Sequence, residues 1–419
     1  MRRACWILAA VSIPVLSLSA ADWPRWRGPA GDGRVPEGVA VPQSLPAELK
    51  DVWRIPVGEG FGSPVVADGR VYLLDDQLGR ETVSAFDAAT GKGLWKRSFD
   101  DVHKDNQLAP GPRGTPLVDG DRVYVQSCRG QFECLGAADG RPRWAVNFVK
   151  DFGAVYIGEK GQATGASRHG NSCSPVVDGE RLFASAGGTN GASVVCFDKT
   201  SGRVLWKSQN DIPGYTGPVI ATIAGVKQAI AFTSEALIGL DPQEGVLLWR
   251  VPVKTQFGRH ITTHVVAGDL VLVSSHTAGL MAVRVARAGA GWTVAPAWVS
   301  QEAAINMSSF VAAGDHLYGL GSNRKLECVD VKTGARVWAQ GDVLGGPLVK
   351  DYVGFLGMGR NLLLLTYDGQ LLLVAADPKE CRVLGRTQLC GKTWCLPAYA
   401  DGRLYFRDAK ELRCVVLGP

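Results

Sequence analysis

The stretch Ala85-Phe86-Asp87-Ala88-Ala89-Thr90-Gly91-Lys92-Gly93-Leu94-Trp95 sets the reading of the whole chain, because its skeleton returns again and again downstream. An apolar strand end leads into Asp-x-x-x-Gly, and Leu/Val-Trp follows. Cys196-Phe197-Asp198 with Leu205-Trp206 repeats it, and so does Asp330-Val331-Lys332-Thr333-Gly334 with Val337-Trp338. Asp accepts backbone N–H groups in the turn, and Gly four residues on takes the left-handed position. Upstream of the first two copies lies an Asp-Gly between two alternating runs, at Asp68-Gly69 and Asp178-Gly179, which is a hairpin turn. One repeat is therefore four short strands.

The units run Ser63 to Phe99, Thr115 to Phe148, Ser174 to Gln209, Gly217 to Val253 and Ser308 to Gln340. Val265 to Gln301 is a weaker copy that lacks the Asp-x-x-x-Gly turn. Closing tryptophans fall at Trp53, Trp95, Trp144, Trp206, Trp249, Trp298 and Trp338, a spacing of roughly forty to sixty residues that suits propeller blades. Val353 to Leu389 is a further unit, with Gly385 where the tryptophan would stand. Pro397 to Leu417 supplies three strands only, and the strand at Asp51 to Val57 has no blade of its own. The two complete one another, which leaves no open sheet edge. The expected fold is an all-β propeller of eight four-stranded antiparallel blades, with a seven-bladed ring as the alternative count. The recurring tryptophans read as wedge fillers between blades. A lone Asp per turn is too few oxygens for calcium.

Met1-Arg2-Arg3, an apolar run from Ala4 to Leu18 and then Ser19-Ala20-Ala21-Asp22 form an export signal, residues 1–21, preceding one propeller domain over 22–419. The run is too short and broken for a membrane span. The expected location is periplasmic or extracellular. The formal charge of +5 includes Arg2 and Arg3, so the mature chain carries +3 with both signs interspersed, which does not point to nucleic acid.

Ten cysteines, less Cys5 of the signal, leave nine. Cys134, Cys196, Cys328 and Cys414 share one place in the third strand, where other blades carry Ala85, Gly239, Ala282 and Ala375. That is a tight buried slot, so these cysteines act as small hydrophobes on separate blades, too far apart to pair. The pairing of Cys128, Cys173, Cys381, Cys390 and Cys395 stays open, a Cys390–Cys395 bridge being one option.

In a propeller the crossings from each outer strand to the next inner strand ring an axial funnel. The longest crossing, Val149 to Asn171, holds Phe152, Tyr156, Lys160, Arg168 and His169, and a loop of that length is commonly a binding element. Ligand-binding candidates are Arg113, Arg168, His169, Asn171, Arg259, His264, Asn306, Lys392 and Trp394, beside Phe61, Tyr215, Thr216, His260 and Thr262. This cationic and aromatic set suits an anionic or sugar-like ligand. His260, His264 and His276 lack an accompanying carboxylate or thiol, which argues against zinc. No Gly-x-Ser-x-Gly elbow and no isolated carboxylate pair announces catalysis.

These repeats, together with Asp22-Trp23-Pro24-Arg25-Trp26-Arg27-Gly28-Pro29, resemble the PQQ-like propeller repeat of quinoprotein alcohol dehydrogenases and their relatives. The resemblance implies the fold over the whole mature chain. In the dehydrogenases it further implies PQQ with calcium in the funnel, held by Glu, Asn and Asp beside an adjacent Cys-Cys disulfide and a catalytic Asp. This chain has no adjacent Cys-Cys and no evident Glu and Asp partners for Asn171 and Asn306. The same repeat occurs in the propeller lipoprotein of the outer-membrane β-barrel assembly machinery. The lack of a lipid-anchoring cysteine argues against that specific role. The expectation is thus an exported, non-catalytic propeller without a cofactor, binding a small-molecule, glycan or protein partner at its funnel face. A PQQ-dependent oxidoreductase acting on alcohols or sugars, with PQQ and calcium, is the first alternative, and a structural scaffold using the outer blade edges is the second.

Overall fold

A computed structural model describes residues 22–105, 108–158, 165–275 and 277–418. Residues 1–21, where an export signal is expected, and Lys160 and His276 lie outside the described residues. Eight four-stranded antiparallel sheets form the ring. Blade 1 is Val65–Ala67, Arg70–Gln77, Arg80–Asp87 and Gly93–Asp101, from axis to rim. The inner strands of blades 2 to 8 are Leu117–Asp119, Val176–Asp178, Val219–Ile223, Val265–Ala267, Val311–Ala313, Val353–Met358 and Ala398–Ala400. The rim strand of blade 8 is Asp51–Pro56, paired with Glu411–Val416, so the first strand of the ring completes the last blade. The seven-bladed count is excluded.

Each tryptophan belongs to a transverse row. Tyr72, Ala85 and Trp95 face one another across blade 1, as do Tyr124, Cys134 and Trp144 in blade 2 and Tyr405, Cys414 and Trp53 in blade 8. A small middle residue lets the indole lie flat, and the flanking aromatic meets it at about 6 Å between centroids. Such pairs add roughly 0.5–1.5 kcal/mol beyond area burial. The indole then reaches the next blade. Trp53, Trp95 and Trp144 donate Nε1–H to Ala88 O, Ala137 O and Lys199 O at 3.0, 3.0 and 3.1 Å. The same rings cover the glycine that ends the next blade's turn: a Cβ at Gly91, Gly140 or Gly202 would stand 2.4–2.7 Å from the indole, although the turn of blade 2 opens with Gly136 in place of Asp. The repeat is thus one interlocking device, Trp of one blade on Gly of the next.

Blade 5 lacks that turn, and a hairpin of two ten-residue strands, Gly279–Ala288 and Gly291–Ser300, replaces it. Trp249 of blade 4, without a turn to dock on, donates to Gln228 Oε1 within its own blade at 2.6 Å.

The small slot holds Cys134, Cys196, Cys328 and Cys414, all fully buried, and Ala85, Gly239 and Ala282. Ala375 is not in it. The register of blade 7 puts Leu373 opposite Gly385, two residues earlier than expected, because no tryptophan marks the place in the sequence. All nine described cysteines are free thiols, so the optional Cys390–Cys395 bridge is absent.

Before its first ring strand the chain crosses the axis. Trp23 pairs with Val66 of blade 1, Pro24 O accepts from Val118 N of blade 2, and Val35 N donates to Gly357 O of blade 7. Trp23 is 2% and Arg27 1% exposed. Trp23, outside the blade series, therefore sits in the channel wall, a role its position in the sequence does not disclose.

Candidate functional site

All eight blades and the crossing segment meet at one axial pocket of about 390 Å³. Its wall includes Phe61 of blade 1, Arg113 and Thr115 of blade 2, His169, Ser172 and Ser174 of blade 3, Tyr215 of blade 4, Arg259, Ile261 and Thr263 of blade 5, Met307 and Ser309 of blade 6, Tyr352 and Phe355 of blade 7, and Trp394 of blade 8. Trp26 and Arg27 of the crossing segment contribute too. Trp26 is pinned there by Nε1–H donation to Thr263 Oγ1 at 3.0 Å.

Strand alternation decides which approach residues reach the pocket. Ile261 and Thr263 line it, so His260, Thr262 and His264 point away. His264 is buried and meets Ile230 O at 3.1 Å, and His260 stacks on Phe232 at 4.2 Å with Nδ1 2.6 Å from Thr233 O. The two histidines therefore use backbone partners. Burial pushes His264 down to about 4. Asn171, fully buried, donates to Tyr156 Oη at 3.0 Å and Ser185 O at 2.8 Å and accepts from Cys173 N. It braces the long crossing. Arg168 is 2% exposed and its carbonyl meets His103 Nε2 at 3.1 Å. Of the nine candidates, Arg113, His169, Arg259 and Trp394 line the pocket, whereas Arg168, Asn171, His264, Asn306 and Lys392 do not.

The long crossing is itself mostly wall. It opens as a short helix, Phe148–Phe152, capped by the Asn147 side chain, and Phe152 packs on Phe197. His169 is its contribution to the pocket.

One carboxylate absent from the candidate set stands behind the wall. Asp105 accepts from Arg113 Nη2 at 3.2 Å and pairs with His169 Nδ1 at 2.8 Å, its side chain 1% exposed. It lies just after the rim strand of blade 1, in the crossing to blade 2, where no turn pattern singles it out. Burial holds His169 below its ordinary value, and Asp105 partly offsets this. Arg113 also lies over the Phe61 ring at 4.8 Å, and Arg259 over Phe257 at 4.6 Å. Arg27 donates Nη2–H to Asp32 O and Phe310 O at 2.6 and 2.7 Å. Burial draws its pKa down to about 10, and the Asp32 carboxylate offsets this only in part.

PQQ with calcium requires oxygen ligands, carboxylates above all, around the ion. The described lining residues include no carboxylate, Asp105 is committed to Arg113 and His169, and the Asn171 amide to Tyr156, Ser185 and Cys173. The residues present do not fit that ion.

Comparison with known proteins agrees with the architecture. The family model described as outer membrane protein assembly factor BamB matches residues 47–96 and 79–340. A curated relative, outer membrane protein assembly factor BamB of Shewanella oneidensis, is 21% identical over 445 aligned positions, spanning all of both chains. Among solved structures, BamB from Moraxella catarrhalis superposes with a TM-score of 0.59 at 15% identity, over 88% of this chain and all of that one. Quinohemoprotein alcohol dehydrogenase from Comamonas testosteroni gives 0.63 at 13% identity, over 95% and 81%. Identities this low carry the fold alone. Matched over most of its length by the family model, the chain belongs to the BamB family of β-propellers.

Proposed function

We propose that this protein is exported and acts without catalysis, binding its ligand or partner at the funnel face. The observation that carries this reading is convergence: every blade contributes to one axial pocket whose wall is cationic and aromatic. Arg113, Arg259 and Trp394 are the contact residues proposed, with Asn306 and Lys392, which do not line the pocket, as further funnel-face contacts for a larger partner. Family membership supports a protein partner, since the curated relative is an assembly factor by name. Export rests on the Met1 to Ala21 segment.

The test compares the parent with Arg259→Glu, Trp394→Ala and the rim-strand variant Val337→Glu, each produced in the native host and isolated under mild conditions. Whatever co-isolates with the parent is expected to be lost from the two funnel variants and retained by Val337→Glu. Loss from Val337→Glu alone would assign binding to the blade edges.

A further inference from the structure

The axial pocket carries a charge imbalance that the fold itself does not need. Three arginines line it, and the lining residues described include no carboxylate. Behind the wall Asp105 pairs with Arg113 and His169, and Asp32 acts on Arg27 only through space. Arg259 has an aromatic neighbour, Phe257, and its buried Nε has no hydrogen-bond partner among the described residues. Arg27, 1% exposed, has its Nη2 on two backbone carbonyls, and its Nε is likewise unpartnered. Ser172 Oγ, on the same wall, is also buried and unpartnered. Leaving a buried polar group without a partner is unfavourable, the more so when the group is charged. Here three such groups surround one cavity, two of them on cations.

The rest of the wall is flat and apolar: Trp26, Phe61, Tyr215, Phe355 and Trp394. Guanidinium groups take carboxylates with charge-assisted hydrogen bonds, and aromatic faces take planar rings. A volume of about 390 Å³ falls at the small end of the roughly 300–1,000 Å³ typical of ligand pockets.

Resting on the funnel-binding reading, we propose that the axial pocket is a site for a small planar organic anion, whose carboxylate is held by Arg259 and Arg27 and whose ring lies among the aromatic side chains. No metal takes part. The crossing segment is then a working part of the site, because it supplies Arg27 and Trp26.

The probe is naphthalene-2,6-dicarboxylate, titrated calorimetrically into the mature protein beside its uncharged counterpart 2,6-naphthalenedimethanol. One-site binding of the dicarboxylate is expected, with the diol at least about tenfold weaker, the size of one lost charged hydrogen bond. Arg259→Gln is expected to weaken the dicarboxylate by about the same factor and to melt like the parent, since its guanidinium makes no hydrogen bond. Arg27→Gln is read only if it folds. Arg287→Gln, an outer-surface arginine over Trp292, is expected to change nothing. Equal binding of the diol, full binding by Arg259→Gln, or no heat at millimolar probe would each overturn the proposal. Failure here with funnel variants still losing their partner would sink the anion site and leave the funnel reading standing. Dicarboxylate binding with only the blade-edge variant losing its partner would do the reverse.

Discussion

Leu373 stands opposite Gly385 in blade 7, the one blade in which a large aliphatic residue faces a glycine where the others set a small residue against tryptophan. The space an indole would take is filled from the other side by the chain before the ring: a Cβ at Gly385 would stand 2.7 Å from Leu45 Cβ, and Thr387 donates to Ala47 O. Leu373→Ala is expected to cost about 2–5 kcal/mol, as for a buried leucine truncated in place. Gly385→Trp, which restores the family residue, is expected to destabilise rather than stabilise, by collision with Leu45. Urea midpoints of the two variants check both.

The tryptophan–glycine lock predicts a contrast between two glycines of similar backbone. Gly202 has φ +73° and a Cβ there would stand 2.6 Å from the Trp144 ring, whereas Gly69 has φ +67° and open space. Gly69→Ala is expected to cost about 1–2 kcal/mol, the left-handed penalty alone. Gly202→Ala must also unseat an indole and is expected to cost clearly more, with the larger fall in melting temperature.

Glu81 and His264 make opposite contributions to the pH profile. Burial pushes Glu81 up to about 8, Asp100 adds to this, and hydrogen bonds from Cys128 N at 3.2 Å offset part of it. Unfolded, it ionises near 4.5. Between those values folding takes up a proton, so stability declines as pH rises, with the full cost present above about 8. Glu81→Gln is therefore expected to melt above the parent, the gap widening from pH 5 towards about 8. His264, folded at about 4 against 6.5 unfolded, costs stability as pH falls through that interval. His264→Gln is expected to flatten the acid limb. Melting curves across pH settle both signs.

The cysteines are expected to behave as buried thiols even in an oxidising compartment. Burial raises Cys381 and Cys395 to about 11, so little thiolate exists at neutral pH. Reductant should leave the melting temperature unchanged, and thiol titration of the mature chain should find nine groups once denatured and almost none when native.

Export has its own check. The intact mass of protein from the host's periplasm is expected to correspond to a chain beginning at Asp22. A full-length mass would remove the export reading.

The fold was legible because several blades share one punctuation, Asp-Gly for the hairpin and Asp-x-x-x-Gly for the lock, and all but blade 7 carry Trp for the row. Where punctuation fails, so does register. Gly385 left blade 7 without an anchor, and the slot was read at Ala375 instead of Leu373. The pocket was legible in position and only half legible in orientation. Arg113, His169, Arg259 and Trp394 precede inner strands and line it, but the same rule swept in His264 and Asn171, whose side chains face the opposite way along an extended backbone. Asp105 and Arg27 left no signal, since an acid in an irregular loop and an arginine in an opening segment acquire meaning only once the ring closes around them.

The most direct measurement is a photo-cross-linking footprint in the native host, with a photoreactive phenylalanine placed in turn at Trp394 and Met307 in the funnel and at Val337 and Leu247 on the rim strands. Adducts from the two funnel positions, and none from the rim, are predicted. Adducts from Val337 or Leu247 with a silent funnel would contradict the account.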